Sequence, residues 1–226
     1  MAREMERLIV FHADRCISCH SCEIACQMEN DAPPGLRLRW VQDFEEGYFP
    51  GARIYFISAA CFHCDDPSCV AGCPAGALIR RNDGTVVHLR DKCIGCGYCI
   101  QTCPFHVPKF SPSQHTARKC SFCTQRIDRG LEPACVAKCA TKALVYYPDG
   151  KPPVPLQAYG TPEKLHMVYK LDRNPENYQL PHPVPGNEVA ATQLWKWLIG
   201  LIPGFGVALW LFKNAADSNQ DEVRHD

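Results

Sequence analysis

Sixteen cysteines in four groups of four restrict the fold of this 226-residue chain more than any other feature. Group one is Cys16, Cys19, Cys22 and Cys26; group two is Cys61, Cys64, Cys69 and Cys73. Group three is Cys93, Cys96, Cys99 and Cys103; group four is Cys120, Cys123, Cys135 and Cys139. Groups one and three read C-x2-C-x2-C-x3-C. Group two lengthens its second interval with residues 65–68, and group four with residues 124–134. This is an internal repeat of ligand sets. Hydrophobic residues make up 46%, but that share includes the cysteines. If the thiols bind metal, the remaining apolar core is thin and the metal helps to hold the fold.

The charges balance, with 24 Lys plus Arg against 24 Asp plus Glu, which argues against a nucleic-acid binder. The N-terminus has charges but only the short apolar run Leu8–Phe11, so it does not read as a secretory signal. Without one, a disulfide framework is disfavoured and metal binding is the expected use of the thiols.

The spacing selects the metal centre. A cube of four irons and four sulfides offers one outward valence on each iron and so takes four thiolates. C-x2-C-x2-C supplies three, and in two-cluster ferredoxins the fourth comes from the other motif. Pro74 follows Cys73 and Pro104 follows Cys103, as is common in such motifs; Gln27 and Ala140 stand at the other two places. C-x2-C alone would also suit tetrathiolate zinc. The repeated third cysteine, the fourth after it and the Cys-Pro endings point to iron–sulfur. Sixteen thiolates then make four [4Fe-4S] clusters, with no three-iron centre.

Cross-ligation predicts the pairing. Groups two and three, joined by an expected Asp83-Gly84 hairpin, form one module over residues 58–110. One cluster there takes Cys61, Cys64, Cys69 and Cys103; the other takes Cys93, Cys96, Cys99 and Cys73. Groups one and four form the surrounding module, residues 1–57 and 111–147. Cys16, Cys19 and Cys22 join Cys139, and Cys120, Cys123 and Cys135 join Cys26. The expected fold class is α+β: two ferredoxin-like modules, one inserted in the other, followed by a C-terminal transmembrane helix. Leu8–His12 and Ala143–Tyr147 are further strand candidates.

Residues 148–193 are rich in proline and read as an extended segment over a surface, with little regular structure. Sixteen uncharged residues lie between Lys196 and Lys213. They span roughly 24 Å as a helix, a little under the ~30 Å hydrocarbon core. Flanking lysines and Trp195, Trp197 and Trp210 suit the interfaces. The expectation is a membrane anchor over 194–213 and a polar tail over 214–226, with an interfacial or partner-bound helix as the alternative.

No dinucleotide fingerprint, P-loop, nucleophile elbow or zincin motif is present, so no catalytic site is assigned. His20 and His63 are expected beside ligands rather than as ligands. Asp65-Asp66 reads as a solvated loop. Arg118, Lys119, Arg126, Arg129 and Lys138 make group four basic: they either tune cluster potential, dock an acidic partner or form a solvated face.

Cys16-Ile-Ser-Cys-His-Ser-Cys-Glu-Ile-Ala-Cys26, Cys61-Phe-His-Cys-Asp-Asp-Pro-Ser-Cys69, Cys93-Ile-Gly-Cys-Gly-Tyr-Cys99 with Cys103-Pro-Phe, and Cys120-Ser-Phe-Cys with Glu132-Pro-Ala-Cys-Val136 carry a resemblance. They resemble the four-cluster iron–sulfur subunits of the respiratory molybdopterin oxidoreductases. These include sulfoxide, polysulfide and tetrathionate reductases and membrane formate dehydrogenases. Tyr159-Gly-Thr161, Leu165–Tyr169, Leu180-Pro181 and Leu194-Trp-Lys196 before the apolar segment are similar to the formate dehydrogenase β subunit. The resemblance implies an electron-transfer subunit between a catalytic subunit with a molybdenum or tungsten pterin and a membrane haem b subunit that meets quinone. It also implies export in folded form with a partner bearing a twin-arginine signal, and a single-pass anchor in the cell (inner) membrane with the head on its periplasmic, outer face; the cytoplasmic face is the alternative. The same role in a [NiFe] hydrogenase or a sulfur-compound or arsenic oxidoreductase is the second reading. A tetrathiolate zinc scaffold is the third.

Overall fold

The computed structural model describes residues 7–152, 158–159 and 167–171. In chain order the strands and helices are β1 (Leu8–His12), α1 (Ser21–Glu29), β2 (Trp40–Glu46), β3 (Arg53–Ala59), α2 (Ser68–Ala71), β4 (Leu78–Arg80) and β5 (Val86–His88). Then come α3 (Tyr98–Thr102), β6 (Lys109–Ser111), β7 (Thr116–Arg118), α4 (Thr124–Ile127), α5 (Ala134–Ala137), β8 (Leu144–Tyr147), β9 (Ala158–Tyr159) and β10 (Met167–Lys170).

One unit repeats four times: a strand, a cysteine group with its short helices, and a second strand. The odd-numbered strands β1, β3, β5 and β7 lead into groups one to four, and β2, β4, β6 and β8 leave them. The strand leaving each group pairs antiparallel with the one entering the next: β2 with β3, β4 with β5, β6 with β7. The last, β8, returns to pair antiparallel with β1, so Phe11 faces Leu144 and Leu8 faces Tyr147. That closure brings group four back to group one. The His12 N–H donates to the Ala143 carbonyl at 2.7 Å where the two groups begin to diverge from the sheet.

The β4–β5 hairpin turns at Asp83-Gly84, as Asp-Gly between two β-prone runs predicts. Gly84 has φ +83°, and the buried Asp83 carboxylate accepts from the Thr85 N–H at 2.9 Å and its hydroxyl at 2.6 Å. The expected module boundaries at 57/58 and 110/111 fall inside β3 and β6, so the two connecting hairpins reach into both modules.

All five residues of β1 are buried, because both faces of the strand are covered. Ile9 and Phe11 meet Ile57, Phe62, Phe122, Leu144, Met167 and Tyr169 in the main core. Leu8 and Val10 meet Val168 on the other face. Burying each such side chain contributes about 1.5–3 kcal/mol. The main core also contains Cys22, Cys120 and Cys135 themselves.

The Pro-rich segment does not simply run over a surface. Met167–Lys170 forms β10, parallel to β1 and flanked by β9, in a sheet of order β8-β1-β10-β9. Met167, Val168 and Tyr169 are buried, because this short run alternates towards both cores. Among the described residues no helix is long and apolar enough to cross a membrane. The expected anchor over 194–213 and tail over 214–226 lie outside the described residues.

Candidate metal centres

The local backbone repeats with the cysteines. The residue before the second cysteine has positive φ in all four groups: Ser18 (+53°), His63 (+50°), Gly95 (+70°) and Phe122 (+59°). A left-handed turn of this kind can aim successive N–H groups into one concavity, a geometry common at iron–sulfur sites. A helix then carries the third cysteine of each group inward: Cys22 on α1, Cys69 on α2, Cys99 on α3 and Cys135 on α5, all buried. After the fourth cysteine a second turn recurs. Gly76, His106 and Lys142, each three residues on, have positive φ and donate their N–H to the carbonyls of Cys73, Cys103 and Cys139.

One of the two departures from Cys-Pro has a structural reason: Cys26 lies within α1, where proline at 27 would break the helix. Nothing in the structure explains Ala140, since the turn after Cys139 is the one that follows Cys73 and Cys103.

The thiols gather in four sets. Cys16 lies with Cys19, Cys22 and Cys139, and these four line one hollow. Cys26 lies with Cys120, Cys123 and Cys135. Cys64 lies with Cys61, Cys69 and Cys103. Cys99 lies with Cys73, Cys93 and Cys96, which line a second hollow. In each set one thiol comes from the other group of its module.

The sets also follow one another. Cys22 of the first faces Cys135 of the second. Cys120 of the second faces Cys61 of the third. Cys69 of the third faces Cys99 of the fourth. Cys19 and Cys96, in the first and fourth sets, are the two exposed cysteines.

The electrostatics suit a polynuclear cation. Burial first, then neighbouring thiols, pushes Cys120 up to about 12 and Cys99 up to about 11; burial pushes Cys69 up to about 12 against the opposing charge of Lys119; Cys26 and Cys64 move up through burial and neighbouring thiols. Such thiols stay protonated near neutral pH, and a bound metal cation would favour their thiolate form. Among the described residues no three His, Cys, Asp or Glu side chains are arranged to hold a single metal ion. A cube keeps its four thiolates apart, whereas zinc draws four to about 2.3 Å from one point.

Hydrogen bonds to sulfur complete the sites. The Ala77 N–H donates to Cys73 Sγ at 3.3 Å and the Phe122 N–H to Cys120 Sγ at 3.4 Å. The Asn30 amide reaches Cys26 Sγ at 3.7 Å and Cys123 Sγ at 4.0 Å.

The other sequence candidates resolve into neighbours. His63 is fully buried, and its Nδ1 accepts the Val86 N–H at 3.0 Å, which ties group two to the hairpin. His20 caps α1 and lies 3.1 Å from Glu23 Oε1. Asp65 pairs with Arg80. Of the basic set in group four, Arg129 and Lys138 are exposed and Arg126 pairs with Glu29 at 3.0 Å. Arg118 and Lys119 are buried, which excludes a solvated face for them. Arg39 is also buried, and no motif or spacing in the sequence marks it.

Gly95 tests the turn. A Cβ there would collide with the His115 carbonyl, and φ is +70°. Gly97 has φ +71° but open space around it. Gly97→Ala is expected to cost about 1 kcal/mol, the left-handed penalty alone. Gly95→Ala is expected to cost more than about 2 kcal/mol and to lose iron. Denaturant midpoints and iron content of the two variants check this.

Four thiol sets in a row define a polynuclear iron–sulfur electron carrier. Residues 52–147 match one 4Fe-4S dicluster domain family and residues 15–79 another. The protein is 35% identical over 144 residues to the B subunit of the anaerobic dimethyl sulfoxide reductase of Escherichia coli, covering 60% of its own length and 70% of that relative. It is 40% identical over 135 residues to the thiosulfate reductase electron transfer subunit of Salmonella typhi (58% and 70%). It is 36% identical over 166 residues to the formate dehydrogenase iron-sulfur subunit of Wolinella succinogenes (63% and 82%). It belongs to the iron–sulfur subunits of the molybdopterin oxidoreductase family. It is an electron-transfer subunit and carries four [4Fe-4S] clusters.

Proposed function

We propose that this protein conducts electrons from a formate-oxidising molybdenum or tungsten pterin subunit to a membrane cytochrome b subunit that reduces quinone. The observation that carries the proposal is the row of thiol sets between exposed Cys19 and exposed Cys96. In this reading Cys16, Cys19, Cys22 and Cys139 hold the first cluster, and Cys26, Cys120, Cys123 and Cys135 the second. Cys61, Cys64, Cys69 and Cys103 hold the third, and Cys73, Cys93, Cys96 and Cys99 the fourth. Each cluster, when bound, takes up and returns one electron. The protein sets the order, buries the second set wholly and the third in part, and opens the row at both ends.

A row with two open ends implies two partners. Ile17, beside the first set, is 60% exposed, and Ile94, beside the fourth, 68%. These side chains are the proposed centres of the docking surfaces. Ile17→Glu and Ile94→Glu are each expected to weaken one partner about 30-fold, because a charge is then buried in the interface. Iron content and visible spectrum should stay unchanged. Binding measurements with each purified partner check this.

The formate assignment is supported by the Wolinella relative, of which the match covers 82%. The sulfoxide and thiosulfate reductase relatives support a second reading, the same conduit feeding a reductase. The proposal places the C-terminal stretch 194–213 as an anchor beside the cytochrome and the head on the outer face, exported with its catalytic partner.

Anaerobic purification from detergent-extracted native membranes, with stoichiometric partners identified by mass spectrometry, tests the proposal. A molybdopterin subunit with a haem b subunit is the expected result. A [NiFe] large subunit, or a quinol subunit without haem, would move the conduit to another complex. No partner at all would overturn the two-ended reading.

A further inference from the structure

Arg39 is 2% exposed and among the largest fully buried side chains. Its guanidinium cannot shed its charge. An unpaired buried charge is strongly destabilising, so a counter-charge is required. Among the described residues no carboxylate pairs with it. Nη1 donates to Ser58 Oγ at 2.9 Å, and Nη2 lies 3.6 Å from Met167 Sδ. Both partners are neutral.

What faces Arg39 is cysteine sulfur from two sets. Cys135 and Cys22, then Cys120 and Cys26, are the groups that act on its charge. Cys22 is in the first set; the other three are in the second. Ser58, also buried, lies 3.6 Å from Cys22 Sγ. With Cys22 bound to a cluster as a thiolate, which has no proton to give, the Ser58 hydroxyl is the donor to it.

We propose that Arg39 is the shared counter-charge of the first and second clusters and raises the reduction potential of both, with Ser58 passing part of its effect to Cys22. The proposal rests on these thiol sets holding clusters, as proposed for the electron path. A cluster with its four thiolates is an anion, and reduction adds one electron and one more negative charge, with no bond made or broken. A fixed cation in a dry site favours the reduced form; net charge and hydrogen bonds to sulfur are recognised determinants of cluster potential. Lys119 makes a local comparison. It is buried, donates to the carbonyls of Val86 and Cys120, and acts on Cys69 and Cys103 of the third set.

The test is a redox titration followed by electron paramagnetic resonance on the anaerobically purified holoprotein, after iron has been counted. Wild type with about sixteen irons establishes the cluster reading first. Arg39→Met is expected to keep that iron and to lower two of the four potentials. The expected fall at a fixed poise is about tenfold in the reduced-to-oxidised ratio, or about 59 mV each. Arg39→Lys should restore most of the shift, and Ser58→Ala should lower one of those two potentials only. Lys119→Met should move a different cluster. Four unchanged potentials in a fully loaded Arg39→Met protein would overturn the proposal while leaving the clusters in place, and so would an equal fall in all four. If Arg39→Met does not load, Ser58→Ala decides: a shift confined to one cluster supports the relay, and none overturns it.

Discussion

Cys135→Ser is expected to reduce iron from about sixteen to about twelve per molecule and to cut electron transfer along the row at least about 100-fold. Cys135 is 5% exposed and sits on α5, which also faces the first set through Cys22. The serine oxygen is a shorter, harder ligand than thiolate, so the second set loses one of its four attachments. Residues that merely orient a metal ligand already cost about 10–100-fold when removed, and a ligand in the middle of a row should cost no less. The position matters as much as the chemistry. Cys96→Ser should also lose about four irons, but it removes the fourth cluster and leaves three contiguous ones. A reductant acting at the Cys19 end should therefore still reduce three clusters quickly in Cys96→Ser and only one in Cys135→Ser. Stopped-flow absorbance with iron analysis makes the comparison. Undiminished end-to-end transfer in Cys135→Ser would show that electrons do not follow the order of the thiol sets.

What the sequence revealed of this molecule was local. Asp83-Gly84 marked the β4–β5 hairpin because that turn needs little beyond those two residues. Leu8–His12 and Leu144–Tyr147 were legible as strands because both are short apolar or β-prone runs beside a cysteine group. Met167–Lys170 was not, since its parallel pairing with β1 joins positions far apart and prolines surround it in sequence. The β2–β3 hairpin carried a fainter signal: two β-prone stretches on either side of Gly47 and Gly51. The buried cations illustrate a different limit. Arg39, Arg118 and Lys119 look like ordinary surface residues in the sequence, because basic side chains usually are exposed. Only the fold shows Arg39 set between two groups of thiols and Lys119 behind a third. The signal that could have raised the question is the excess of acid-forming sulfur itself: sixteen thiolates in a neutral chain need nearby positive charge.

That excess also determines what happens when iron is removed. Chelating the clusters is expected to abolish cooperative unfolding, because cysteine side chains are part of the main core and the five described helices, α1–α5, are too short to stand alone. Structural metal contributes on the order of 10 kcal/mol in small metal-dependent domains, comparable to the whole net stability of about 5–15 kcal/mol. Residual order in the stripped chain should depend on pH in one direction. In the folded arrangement burial holds Cys69 and Cys120 up to about 12 and Cys99 up to about 11. In the unfolded chain these groups ionise near about 8.5. Below that value both states keep the protons, and this contribution to stability is fully present. Above it the unfolded state binds fewer protons, so stability falls as pH rises towards the folded values. The iron-loaded protein should lack this loss, because its sulfurs are already thiolates bound to metal. Near-ultraviolet circular dichroism and limited proteolysis, from about pH 6 to about pH 10, should show order fading with rising pH in the stripped protein and a flat response in the loaded one. A stripped protein that unfolds cooperatively at both ends of that range would mean that the apolar core holds the fold without its metal.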